Sequence, residues 1–143
     1  MQRNFSVLIV DDEDDFRSTL IKRLVKRNVN AIGAESGIKA LDVMKTTLVD
    51  IVVLDVKMPG MDGIETLIKI KQLYPLTEVI MLTGHANVEA ALEGMDCGAF
   101  DYLMKPTEID DLLFKLEDAY HKKMLHEHKT QQLKMEAKKS ADI

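Results

Sequence analysis

The chain has one cysteine, three prolines, no tryptophan, and aromatics at only 5% of its 143 residues. A single cysteine, Cys97, excludes an internal disulfide and fits a reducing compartment, where it reads as a small half-buried apolar residue. A bilayer-spanning helix needs about 20 apolar residues, and the longest runs here, such as Ile51 to Leu54, are far shorter. No basic-then-apolar leader is seen, and no internal repeat or low-complexity segment interrupts the pattern. These absences point to a soluble protein of the cytoplasm without membrane contact. The scarcity of aromatics and the lack of a Gly/Ser/Thr phosphate loop also argue against a flavin-binding electron carrier.

What is present is ordinary for one globular domain: 46% hydrophobic and 30% charged residues, enough for a single core. The net charge of −5 is unevenly spread. Residues 1–119 hold 13 basic and 21 acidic side chains, whereas the stretch from Tyr120 onward has six lysines against three acids. An acidic body is a poor grip for nucleic acid. The basic tail has no interleaved aromatics and reads as a solvated helical face. His121, His126 and His128 lack metal-ligand spacing and read as exposed helix.

Apolar blocks alternate with helical patterns. Val7 to Val10, Ile51 to Leu54 and Val79 to Leu82 are continuous apolar runs, the mark of strands buried on both faces. Ala31 to Ala34 and Tyr102 to Met104 are weaker strands. Helical spacing follows each strand, through Phe16, Leu20 and Leu24, then Ala40, Leu41 and Met44, then Ile64, Leu67 and Ile68. Val88, Ala91, Leu92 and Met95 mark a short helix ending near Gly98, and Ile109, Leu112, Leu113, Leu116 and Tyr120 stripe the last one. Strands joined by helices of this length require right-handed crossovers and a parallel sheet. Five such units in about 120 residues predict an α/β doubly wound, flavodoxin-like sandwich, not an eight-unit barrel.

In sheets of this kind ligands bind beyond the carboxyl ends of the strands. The residues found there are Asp11 and Asp12, then Asp55, Thr83 and Lys105, while the edge strand ends in Ala34, Glu35 and Ser36. Each has a local explanation. Asp11 or Asp12 could cap the first helix, with Glu13, Asp14 and Asp15 favoured by its dipole. Asp55 could stabilise the Lys57–Gly60 turn, Thr83 could cap a helix near Asn87, and Lys105 could be a surface lysine before Pro106. Together, however, they put three carboxylates, a hydroxyl and an ammonium on one rim. Clustered carboxylates suit Mg²⁺, a hard cation that takes oxygen ligands. An aspartate beside that metal can attack phosphorus, and a lysine would offset charge on the transferring group.

The motifs "VLIVDDE", "VVLDVKMPGMDG", "VIMLTGHA" and "DYLMKP", in this order, resemble those of the response-regulator receiver domains of two-component signalling. The stretch "LTGHANVEAALEGMDCGAFDYLMKP" is loosely similar to receivers attached to ATPase transcription activators. The resemblance implies strand order 2-1-3-4-5 and makes Asp55 the acceptor of a phosphoryl group from a histidine kinase or phosphotransfer protein. It implies Mg²⁺ on Asp11, Asp12, Asp55 and the Lys57 carbonyl, with Thr83 bonding the phosphoryl group, Lys105 pairing with it, and the Lys105–Pro106 peptide cis. Thr83 and Tyr102 would be the switch pair, and Lys57 and His85 would tune the dephosphorylation rate. Residues 4–120 would form the receiver and 121–143 a helical extension or linker. We expect the surface from Val88 to Tyr120 to change on phosphorylation, serving a partner, an output module or a homodimer. Such a domain is a signalling element rather than an enzyme, catalysing only its own phosphorylation and dephosphorylation. The alternative is a haloacid-dehalogenase-like phosphatase using Asp11, Thr83, Lys105, Asp110 and Asp111. That pattern leaves Asp55 unused and needs Glu13 in place of an aspartate.

Overall fold

A computed structural model describes residues 3–58, 60–84 and 87–141. Five strands alternate with five helices: β1 (Ser6–Val10), α1 (Asp14–Lys26), β2 (Asn30–Ala34), α2 (Gly37–Thr46), β3 (Ile51–Asp55), α3 (Gly63–Leu73), β4 (Glu78–Thr83), α4 (Val88–Asp96), β5 (Asp101–Met104) and α5 (Ile109–Ala141). The strands form one parallel sheet in the order β2-β1-β3-β4-β5. This is the expected doubly wound sandwich.

The apolar runs are explained by two cores, one on each face of the sheet. Leu8, Val10, Val52, Leu54 and Met81 point to one face, where Ala40, Met44, Leu67, Ile70 and Ala91 of α2, α3 and α4 cover them. Val7, Ile9, Ile51, Val53, Ile80 and Leu82 point to the other, under Leu20, Leu24, Leu112, Leu116 and Ala119 of α1 and α5. Alternate residues serve alternate cores, so neither β1, β3 nor β4 can spare a polar position in its middle.

Two helix faces differ from expectation. Ile68 and Leu92 are 38% and 50% exposed, and the buried positions are Thr66, Leu67 and Ile70 in α3 and Ala91 and Gly94 in α4. A helix of about three turns tolerates either assignment on spacing alone, and its packing against the sheet decides. α4 ends as expected, with Gly98 at φ +106, a conformation that favours glycine.

α5 is one continuous helix of 33 residues. Its core stripe of Leu112, Leu113, Leu116 and Ala119 is extended one turn by a buried lysine, Lys123. Lys123 reaches 3.0 Å to Asp50, just before β3, and also pairs with Glu127. Lys122 lies 3.4 Å from Glu78 at the start of β4. The expected solvated face therefore begins only after these two lysines, which bind the helix to the amino-terminal end of the sheet. His121, His126 and His128 are exposed, as expected.

Candidate functional site

Strand register assembles the site. Val10 pairs with Leu54 and Asp55 with Leu82, so Asp11 emerges beside Asp55 at the ends of β1 and β3. Thr83 pairs with Met104, which delivers Lys105 to the same rim. Backbone bonds hold these ends in line: Asp11 N donates to the Ala34 carbonyl at 3.2 Å, and Lys105 N to that of Thr83 at 2.7 Å. Behind Asp55, α3 begins so close that a Cβ on Gly63 would lie 2.4 Å from the Asp55 carbonyl oxygen. Only glycine fits there, which is why the turn after β3 returns so tightly.

Asp11 and Asp55 are buried while Asp12 is exposed, and carboxylate oxygens from all three lie within 4.8 Å of one another. Asp11 Oδ1 accepts from the Glu13 N–H at 2.9 Å and Oδ2 from Lys105 Nζ at 2.8 Å. The same ammonium is 3.7 Å from Asp55 Oδ2 and 4.3 Å from the centre of the Phe16 ring. Among the described residues, Asp55 Oδ1 accepts only a long bond, 3.3 Å, from the Lys57 N–H. Burial first, then the Asp11 charge, push the Asp55 carboxyl up to about 6, with Asp12 adding to this and Lys105 and the Lys57 N–H opposing it. Burial pulls the Lys105 ammonium down, but its bond to Asp11 and the Asp11 and Asp55 charges leave it raised. Among the described residues, one lysine thus incompletely offsets three acids. The remaining donors are all oxygens, a set that fits a hard divalent cation.

Neither Asp11 nor Asp12 caps α1. Glu13 occupies the cap position without a side-chain bond, and Asp14 and Asp15 fill the first turn. Arg17 donates to the Asp11 carbonyl at 2.6 Å and pairs with Asp14 at 2.6 Å, so its ion pair is with a helix acid and not with the three clustered carboxylates. The Thr83 hydroxyl is buried and donates to the Gly84 carbonyl at 3.1 Å, leaving the cap position of α4 to Asn87. Tyr102 is half-buried against the core under α2, α3 and α4, and Lys57 is exposed. The Lys105–Pro106 peptide is cis. His85, expected to tune a rate, lies outside the described residues, as does Pro59.

Residues 7–117 match the response regulator receiver domain family. The chain belongs to it. As a receiver it is a signalling domain, a phosphorylation switch of two-component systems. It is 39% identical over 119 residues to the DNA-binding transcriptional regulator NtrC of Klebsiella pneumoniae, covering 83% of this chain and 25% of the relative. It is 40% identical over 117 residues to the transcriptional regulatory protein ZraR of Escherichia coli, covering 81% and 26%. The receiver thus spans about a quarter of the length of these curated relatives. Among solved structures, a response regulator receiver domain protein from Clostridium thermocellum superposes with a TM-score of 0.81 at 32% identity, over 85% of this chain and 98% of that one. The receiver domain of NtrX from Brucella abortus gives 0.77 at 32%, over 80% and 98%.

The phosphatase alternative loses its second acid pair in this receiver. Asp110 and Asp111 are exposed in the first turn of α5, and Asp110 pairs with Arg27 at 2.7 Å. Sequence reading treated Phe16 only as a core position and missed Arg17. The i,i+3 spacing of Asp14 and Arg17 could have signalled their pair, whereas no spacing marks the contact of Phe16 with Lys105 or of Arg17 with the Asp11 carbonyl. No helix among the described residues is long and apolar enough to cross a membrane.

Proposed function

We propose that Asp55 is the phosphoacceptor, receiving its group from the phosphohistidine of a sensor kinase or phosphotransfer protein in the cytoplasm. The observation that carries this reading is the under-neutralised trio of Asp11, Asp12 and Asp55, with Lys105 reaching both buried members. Mg²⁺ would be held by the three carboxylates and the Lys57 carbonyl, and supplies charge that offsets them and the incoming phosphoryl group. An Asp55 oxygen bonds to phosphorus as the phosphorus–nitrogen bond breaks, and the electron pair leaves with the imidazole. With its carboxyl held at about 6, Asp55 is mostly ionised at neutral pH and competent to attack. Lys105 moves from Asp11 towards a phosphoryl oxygen. The Thr83 hydroxyl turns from the Gly84 carbonyl to bond another, and Tyr102 swings inward behind it. Lys57 and His85 tune how fast water removes the group, and the domain catalyses nothing beyond this addition and loss.

Residues 4–120 act as the receiver and 121–143 as a helical extension towards an output module, here a transcription-regulating one in keeping with the named relatives. The switched face runs from Val88 to Tyr120. Leu92 and Phe114, 50% and 65% exposed on α4 and α5, give it apolar contact points for a partner or a second copy. The test is acetyl phosphate with Mg²⁺: a base-labile mass increase is expected in the wild type and not in Asp55→Asn. An adduct that persists in the variant, or never forms in the wild type, refutes the assignment.

A further inference from the structure

Lys105 is held by three groups of two kinds. Asp11 and Asp55 attract its charge from 2.8 and 3.7 Å, while the Phe16 ring lies under it at 4.3 Å. Phe16 stands in the first turn and a half of α1, half-buried, its other contacts being with the core beneath α1 and α5. A lysine has a long stem with much rotamer freedom to lose, so a single hydrogen bond positions it poorly. An aromatic face attracts an ammonium through its quadrupole and consumes none of the three N–H donors. The two acids, by contrast, hold Lys105 through the donors and charge it needs for an incoming phosphoryl group.

We propose that Phe16 is a positioning residue for Lys105: its ring keeps the ammonium between Asp11 and Asp55 while leaving the N–H donors free to pass from carboxylate to phosphoryl oxygen. The inference rests on the reading of Lys105 as the phosphoryl group's partner. Leucine at this position would fill the core but would leave Lys105 held by the Asp11 and Asp55 charges alone before transfer, with no support that spares its donors during it.

The test uses the full chain in two arms. In metal-free protein with ¹³C-labelled lysine, the Lys105 ε-methylene protons, assigned with Lys105→Met, are expected to be shifted upfield by the ring current. Phe16→Leu should return them to the ordinary lysine position, and Phe16→Tyr should keep them shifted. With saturating Mg²⁺ and acetyl phosphate, Phe16→Leu should form the adduct about threefold to tenfold more slowly, and Phe16→Tyr close to the wild-type rate. Absence of an upfield-shifted lysine signal in the wild type overturns the proposal without recourse to any variant. So does a rate loss in Phe16→Tyr equal to that in Phe16→Leu, since packing rather than the aromatic face would then be at work. The metal-free spectrum does not depend on phosphorylation, so a failure of Asp55 as acceptor and a failure of Phe16 as support are told apart.

Discussion

The two ends of the same sheet carry acid clusters of opposite character. At the amino-terminal end, Asp50 and Glu78 are almost buried, yet three lysines converge on them. Lys123 lies 3.0 Å from Asp50, and Lys122 and Lys71 lie 3.4 and 3.8 Å from Glu78. Asp50 also accepts from the Ser6 N–H at 2.9 Å, and Lys71 donates to the Pro75 and Thr77 carbonyls at 2.9 Å each. At the carboxyl end three carboxylates face Lys105, and Arg17 is taken up elsewhere. The first cluster is charge-matched by the chain and behaves as a fastener for α5. Among the described residues the second is left short of positive charge, so its state depends on what arrives from solution. One imperfection remains in the fastener: Glu78 Oε2 is buried and accepts no hydrogen bond among the described residues, although Lys122 is near.

Substitutions should therefore act with opposite sign at the two ends. The largest expected effect is at the fastener. Lys123→Met strands the Asp50 carboxylate and should destabilise the fold by about 2–3 kcal/mol in urea unfolding, while leaving adduct formation from acetyl phosphate intact. An unchanged midpoint would show that the buried pair contributes nothing. At the rim, Asp55→Asn should instead stabilise the metal-free protein by about 1–2 kcal/mol, because it removes a carboxylate whose ionisation the fold opposes. A loss of stability in this variant would contradict the picture of a charge-starved site.

The smallest effect is the pH dependence that follows from the same group. The Asp55 carboxyl is raised in the folded state, so its ionisation costs stability. That cost is full above a pH of about 6 and is relieved as pH falls towards the unfolded value of 3.8. Metal-free wild type should thus gain stability relative to Asp55→Asn on going from neutral pH to pH about 4. Millimolar Mg²⁺ should flatten the difference by favouring the carboxylate. A difference between the two proteins that is constant across this range would remove Asp55 from the titration.

Much of this was legible without coordinates. Val7 to Val10, Ile51 to Leu54 and Val79 to Leu82 can only be strands buried on both faces. The residues that follow them must then stand on one rim, because parallel strands end together. That placed Asp11, Asp12, Asp55, Thr83 and Lys105 on one rim, and the order of the sheet brought the three aspartates together with Lys105 beside the two buried ones. The run of acids from Asp11 to Asp15 likewise divides as expected, with the first two at the carboxylate cluster and the last two in the first turn of α1.

Other features were invisible for a physical reason. Backbone pattern depends on residue type and spacing, which a sequence states directly, whereas the end of a long side chain goes to whatever charge or ring the fold puts within its reach. The sequence by itself determined the alternation of elements, the two-faced burial of the strands and the chemistry at their ends. Only the tertiary structure decided that Lys123 turns inward to Asp50, that Ile68 and Leu92 face outward, and that Lys105 rests on Asp11 above Phe16. Those outcomes depend on distances between elements that are 73 to 94 residues apart in the chain for the lysine contacts of α5 and β5, and no local pattern encodes them.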